Sequence, residues 1–266
     1  MKNIRFLYPG WKNGAVTFGF DDNRVQDRRL VALFNQYGLK GTFNLNTATL
    51  SSDDSLFIRR EEVKDLYAGH EVASHSVTHA NLLEVWGLDP EKCRWEILHD
   101  REELAALSGQ EICGFVFPYG EFSAELVELV RDFGFIYTRC GTGAGFTPPA
   151  DLLYWIPAAH QNEDLRPYTE RFLACGDELR VLVVWGHSFE FDWGKGHWDD
   201  FEVFCRNISG RDDMYCATMR DICKYWIACR ALDRNADTLQ NDSALELYLD
   251  LDGEKVLLPA GGTLSL

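Results

Sequence analysis

Apolar residues in this chain come in short clusters whose spacing switches between two periods. Residues 15–20 (AVTFGF) form a short β-prone run. Across residues 23–37, Val25, Leu30, Val31, Leu33, Phe34 and Tyr37 then recur at helical spacing until Gly38 stops the pattern. That is a strand followed by a helix. The step returns at 41–45 followed by 60–67, at 71–74, and at 114–117 followed by 123–133. Residues 135–138, 154–157, 180–185 and 214–218 predict further strands, and 168–173, 199–207 and 220–232 further helices. Such a succession predicts a distorted (β/α) barrel of seven or eight strands, with its active site at the C-terminal ends of those strands.

The rhythm breaks near the end. From Ser243 onward apolar and polar residues alternate around Asp252-Gly253, a strong hairpin signal, and again around residues 259–262. The expected organisation is a catalytic barrel over residues 1–233 and a small C-terminal β appendage over residues 234–266. The appendage has three readings: a cover for one end of the barrel, a self-association element, or an extension of a sugar-binding surface.

Composition narrows the class. The chain has 266 residues, 46% of them apolar and 13% aromatic, enough for a sizeable core. Acidic residues outnumber basic ones 42 to 26, a formal charge of -16, which argues against nucleic acid or an anionic membrane as partner and favours a neutral or cationic substrate. No leader pattern opens the sequence and no apolar run is long enough to span a bilayer, so the expected location is cytoplasmic. Eight cysteines are scattered without a Cys-x-x-Cys pair, which reads as free thiols in a reducing compartment.

Polar groups sit where the barrel reading puts chemistry. Asp21-Asp22 follows the first strand, His75 the run 71–74, Pro118-Tyr119-Gly120 the run 114–117, and His187 the run 180–185. Two carboxylates with the His75 and His79 imidazoles suffice for a divalent-metal site, leaving one carboxylate as a base. Each group alone has a plainer reading. Asp21-Asp22 before Asn23 suits a helix N-cap, His-x-x-x-His arises by chance, and His187 suits a buried core position.

In that order along the chain, the residues resemble the motifs of the NodB-homology polysaccharide deacetylases. VTFGFDDN (16–23) is similar to the first motif, GHEVASHSVTHANL (69–82) to the second, FPYGEFS (117–123) to the third and VLVVWGHSFEF (181–191) to the last. The resemblance implies that Asp21 is the catalytic base, that Asp22, His75 and His79 hold one divalent ion, and that His187 is the general acid. Pro118, Tyr119 and Gly120 would line the cleft, with the Tyr119 backbone N–H helping to hold the oxyanion. A His-His-Asp set suits zinc and tolerates cobalt, nickel or manganese. Trp185, Phe189 and Trp193 are placed either to stack on a sugar or to pack the rim, and Glu190, Asp192 and His197 are cleft neighbours.

The chain also departs from the family pattern. Val116 and Phe117 stand where the third motif usually has an Arg that contacts the catalytic Asp, so the group that tunes Asp21 must come from elsewhere. An Asp and Trp that orient the acid histidine have no direct match; Tyr154-Trp155 with Asp151 is nearest by position, with His160 or Asp164 as alternatives. A glycine is inserted ahead of the two carboxylates. The leading expectation is a metal-dependent hydrolase that removes N-acetyl groups from an acetylated amino sugar or its oligomer or polymer. The alternatives are a hydrolase of the same fold acting on another non-peptide C–N bond, such as a cyclic amide or imide, and a carbohydrate-binding relative without activity.

Overall fold

The computed structural model describes residues 3–50, 55–141, 143, 145–176, 178–194 and 196–266. Its strands in chain order are β1 (Ile4–Leu7), β2 (Gly14–Asp21), β3 (Gly41–Leu45), β4 (Glu71–Ser74), β5 (Gly114–Val116), β6 (Tyr137–Arg139) and β7 (Ala159–His160). Then follow β8 (Arg180–His187), β9 (Met214–Cys216), β10 (Asp233–Arg234), β11 (Thr238–Gln240), β12 (Leu247–Leu251), β13 (Glu254–Leu258) and β14 (Thr263–Ser265). The helices are α1 (Asp27–Tyr37), α2 (Val63–Leu66), α3 (Leu82–Leu88), α4 (Pro90–Ser108), α5 (Ala124–Asp132), α6 (Leu165–Ala174), α7 (Trp198–Ile208) and α8 (Met219–Arg230).

Parallel pairing curls β6-β5-β4-β3-β2-β8-β7 into one sheet, and β9 joins the first half of β2. Between the two edges, β6 meets the turn before β7 through a single bridge, Arg139 to Trp155. The result is the expected distorted (β/α) barrel. Side chains along β2 alternate as a strand requires. Val16, Phe18 and Phe20 turn outward into the apolar layer under the helices, where Phe18 meets Phe34 of α1 at 4.6 Å and Phe20 meets Phe201 of α7 at 5.9 Å between ring centres. Each such buried ring stabilises the fold by roughly 2 kcal/mol. Thr17, Gly19 and Asp21 therefore face the concave side.

Differences from the sequence expectations have physical causes. Residues 154–157 do not form a strand: Pro157 lacks an N–H, and only Trp155 bridges, to Arg139. α1 begins at Asp27, and its N-cap position, Gln26, makes no side-chain cap, so Asp22 and Asn23 do not cap it. Its end is as expected, with Gly38 left-handed at φ 64°. α3 and α4 occupy a stretch where apolar spacing predicts no element. Asp89 caps α4 and Pro90 opens it, but the buried face includes Glu96 and Asp100 beside Cys93, Ile97 and Leu104, so the apolar stripe is interrupted.

β12 and β13 form the hairpin expected at Asp252-Gly253. β14 pairs instead with β11, and β12 pairs antiparallel with the N-terminal β1, so the appendage is sewn to both ends of the chain. Leu247, Leu249 and Leu251 pack in one cluster with Ile222, Cys223 and Trp226 of α8. All eight cysteines are free. Among the described residues no helix is long and apolar enough to cross a membrane.

Candidate active site

Parallel register brings the candidate groups to one mouth. Asp21 is paired with His187 across β2 and β8 and with Asn44 across β2 and β3, while Leu45 is paired with Ser74, so His75 follows at the same level. The loops leaving these strand ends are bent sharply: Asp22 (φ 78°), Asn23 (φ 37°), Ser76 (φ 65°), His79 (φ 56°) and Tyr119 (φ 62°) all have positive φ. Conformations that side-chain-bearing residues seldom adopt cost about 1–3 kcal/mol each, and they persist where surrounding bonds enforce them.

Those bonds are present. Asn23 Oδ1 accepts from the Asn46 N–H at 2.9 Å, and the Asn46 amide donates to the His75 and Ser76 carbonyls at 2.5 and 3.0 Å, tying the two motif loops together. α4 holds the second loop from below. Asp100 accepts from Ser74 Oγ at 2.6 Å and from Thr47 N–H and Oγ, and Glu96 accepts from Thr78 N–H at 2.9 Å and Oγ1 at 2.7 Å. Burial raises the Asp100 carboxyl to about 6 against these donors. Sequence reasoning missed both carboxylates; the available signal was two acids four residues apart on the face of a helix that also carries apolar residues.

Asp22, His75 and His79 converge. Asp22 Oδ1 lies 3.5 Å from His79 Nε2 and 3.8 Å from His75 Nε2, and one ligand atom from each of the three falls within 4.8 Å of the others. His75 Nδ1 is 2.7 Å from the Val116 carbonyl, so Nδ1 carries the proton and the Nε2 lone pair faces the cluster. Burial lowers the His75 pKa against the pull of Asp21 and Asp22, which keeps the ring neutral. A neutral imidazole with its outer nitrogen anchored, a second imidazole and a carboxylate fit a divalent ion.

Asp21 is differently placed. Its Oδ1 accepts from Asn44 Nδ2 at 2.7 Å, and its Oδ2 accepts from the Arg139 guanidinium, reaching over from β6. Burial alone would raise its pKa, but Arg139 first, then His75 and His187, outweigh it and hold the carboxyl at about 2. Arg139 is paired in register with Val116, so the missing third-motif cation is supplied from the adjacent strand at the same height. The Arg139 guanidinium also lies 4.6 Å above the Trp185 ring.

His187 Nε2 lies 3.9 Å from both Asp21 Oδ2 and Asp22 Oδ2. Its Nδ1 is buried with no hydrogen-bond partner and stands 3.7 Å from Glu190 Oε2. That oxygen accepts from Gln161 Nε2 at 2.7 Å and Asn162 Nδ2 at 2.8 Å, and His160 Nε2 lies 3.5 Å away. The Asn162 N–H donates to His160 Nδ1 at 3.2 Å, so a neutral His160 carries its proton on Nε2, facing Glu190. His160, His187 and Glu190 are close enough to suggest a second ligand set. With donors converging on one carboxylate oxygen, however, the cluster is a hydrogen-bonded hub. Gly186 makes room for it: a Cβ there would fall 1.1 Å from Gln161 Oε1.

Of the sequence alternatives for orienting His187, only His160 reaches this hub. Asp151 caps the turn at Leu153 and pairs with Arg131 at 2.6 Å, Asp164 caps α6 and pairs with Arg166, and Trp155 is buried against Trp226. Pro118 is buried, while Tyr119 is 67% exposed with its ring 4.7 Å from that of His79; Gly120 completes the turn at φ 69°. Trp185 packs on His160 at 4.5 Å, which places it in the wall behind His187. A groove of about 810 Å³ adjoins the hub, sharing Gln161 and Asn162 and running along α6 and α7.

Comparison with known proteins bears on this geometry. The polysaccharide deacetylase family model matches residues 11–138. A peptidoglycan deacetylase of Helicobacter pylori is 31% identical over 134 residues, 50% of this chain and 43% of that one, so the match spans less than half of the relative. Among solved structures, a Mycobacterium smegmatis protein provisionally described as a polysaccharide deacetylase superposes with a TM-score of 0.65 at 18% identity, covering 88% of this chain and 97% of its own. A family 4 carbohydrate esterase pseudoenzyme of Bacillus anthracis gives a TM-score of 0.51 at 15% identity, covering 80% and 65%. Likeness at these identities shows a shared fold, and a fold does not carry an activity by itself. Residues 11–138, the stretch that bears Asp21, Asp22, His75, His79 and Pro118-Tyr119-Gly120 and just under half of the chain, are thus similar to the polysaccharide deacetylases.

Proposed function

We propose that this chain is a metal-dependent hydrolase that removes N-acetyl groups from an acetylated amino sugar, free or within an oligosaccharide or polysaccharide. The observation that carries the reading is the Asp22, His75 and His79 cluster with an ionised carboxylate, Asp21, beside it. The Helicobacter pylori relative, named for acting on peptidoglycan, supports a glycan substrate. A divalent ion held by Asp22, His75 and His79, zinc by preference with cobalt, nickel or manganese also suited, supplies Lewis acidity toward a water and an acetyl carbonyl when bound.

The chain's own residues divide the remaining work. Asp21 takes the proton of the attacking water. Arg139 and Asn44 fix its position and keep it ionised across the neutral range, at the expense of basicity. His187, on the other side of the mouth, gives a proton from Nε2 to the departing amine. Glu190 faces its Nδ1 at 3.7 Å on the side away from the two aspartates. Pro118-Tyr119-Gly120 form the wall against which the acetyl group is held, with the Tyr119 N–H as an oxyanion donor.

The test is acetate release by the purified, zinc-loaded protein from a panel of N-acetylated amino sugars and their oligomers. Release that disappears in Asp21→Asn is expected; no release from any member would remove the reading.

A further inference from the structure

Three residues after Asp21, Arg24 presents a cation with no counter-ion among the described residues. Its guanidinium carbon lies 4.6 Å from the Phe57 ring centre, 4.9 Å from that of Phe189 and 5.9 Å from that of Trp193. Its Nε is buried without an acceptor, and among the described residues Arg24 forms no ion pair. In a chain where acids outnumber bases 42 to 26, a half-buried arginine lacking a carboxylate is a departure from what charge statistics favour. Arg24 is only partly buried, and its outer nitrogens donate to no described residue.

Position ties this cation to the candidate site. Phe189 is 5.3 Å from the His187 ring and 4.6 Å from Trp193, which is 62% exposed. The three rings thus hold Arg24 on the rim between the metal-ligand loop and the proposed acid. A guanidinium whose carbon lies within 6 Å of three ring centres and which has no described counter-ion keeps terminal N–H donors that suit a carboxylate. We infer that Arg24 and its aromatic frame form an anion subsite, so that the substrate is an N-acylated amino compound that also bears a carboxylate. The inference rests on the hydrolase reading above, and it refines the expectation of a neutral or cationic substrate: the protein as a whole is acidic, but this point of the rim is not.

The test uses a matched pair, N-acetylmuramic acid and its methyl ester, which differ by one charge. Calorimetric titration of the intact, zinc-loaded protein reads binding without needing turnover. The acid is expected to bind about tenfold or more tightly than the ester, as for a hydrogen bond to a charged group. Arg24→Gln is expected to erase that difference and Arg24→Lys to keep part of it. Equal affinity of the pair for the unaltered protein, no binding of either, or an undiminished preference in Arg24→Gln would overturn the inference, leaving Arg24 as a brace between Phe57 and Phe189. Should Arg24→Gln fail to fold, the comparison on the unaltered protein still decides. Acetate release is scored separately, so the hydrolase reading and the anion subsite fail independently.

Discussion

Arg139, on an edge strand of the sheet, donates to the carboxylate of Asp21 four strands away, and both are almost fully buried. Removing one member of such a pair leaves an uncompensated charge, at a cost of about 3–5 kcal/mol. Arg139→Met is therefore expected to melt well below the unaltered protein and to lose roughly 10- to 100-fold in turnover. Asp21→Asn in the same chain should restore part of the stability, which a double-mutant cycle by thermal melting would show. The pair's stabilisation is present above the unfolded Asp value of 3.8 and is lost as pH falls toward about 2, so Arg139→Met should also shift acid unfolding.

Glu190 collects donors around His187 and His160, and its proposed work is on the leaving group. Glu190→Gln is expected to slow release from an N-acetyl amide by about 10- to 100-fold while leaving 4-nitrophenyl acetate nearly unaffected, since that leaving group departs without a proton. Equal losses on both substrates, measured as kcat, would place Glu190 in the scaffold alone.

Asp100 accepts four hydrogen bonds, from the His75 N–H, from Ser74 Oγ and from the Thr47 N–H and Oγ1, which hold the start of the His75 loop against the Thr47 turn. Asp100→Ala leaves Ser74 Oγ and the Thr47 N–H and Oγ1 without that acceptor, at about 1–3 kcal/mol for each that water does not reach, while the His75 N–H keeps its bond to the Leu45 carbonyl. Lower melting temperature and zinc affinity weakened about 10- to 100-fold are expected, read by melting and by competition with a chromogenic chelator.

Asp27 is buried beneath the mouth, accepting from Ser188 Oγ and from Tyr67 Oη at 2.5 and 2.7 Å. Burial raises its pKa from 3.8 to about 7 despite these bonds. In the folded state it therefore keeps its proton where the unfolded chain has lost it. Its contribution to stability is greatest below pH 4 and is lost as pH rises through 7, a swing on the order of 4 kcal/mol. Asp27→Asn, of the same shape and without the charge, should flatten this part of the stability curve, so that the variant gains on the unaltered protein between pH 5 and 8 in chemical denaturation.

Legibility in the sequence followed the range of the interaction. β2, β3, β4, β5 and β8 end within two residues of their apolar runs, because a buried parallel strand needs that run and little else. The pairs Asp21-Asp22 and His75/His79 are local too, and strand ends carry them to one mouth. Arg139 was not legible: nothing near it in the chain points to Asp21, and only the closing of the sheet brings the two together. Glu96 and Asp100 hid α4 by breaking its apolar stripe with the same carboxylates that hold the loop carrying His75 and His79. β1 has no partner strand near it in the chain and pairs with β12, more than two hundred residues later.

The most direct test of the proposed chemistry is acetate release from an N-acetylated amino-sugar oligomer, run with metal analysis on the unaltered protein before and after chelation and on two variants. Bound zinc and release that chelation abolishes and zinc restores are expected, with Asp21→Asn retaining metal but losing most activity and His79→Ala losing both. Release that persists without metal, or full turnover by either variant, would contradict the assignment of Asp22, His75 and His79 as ligands and Asp21 as base.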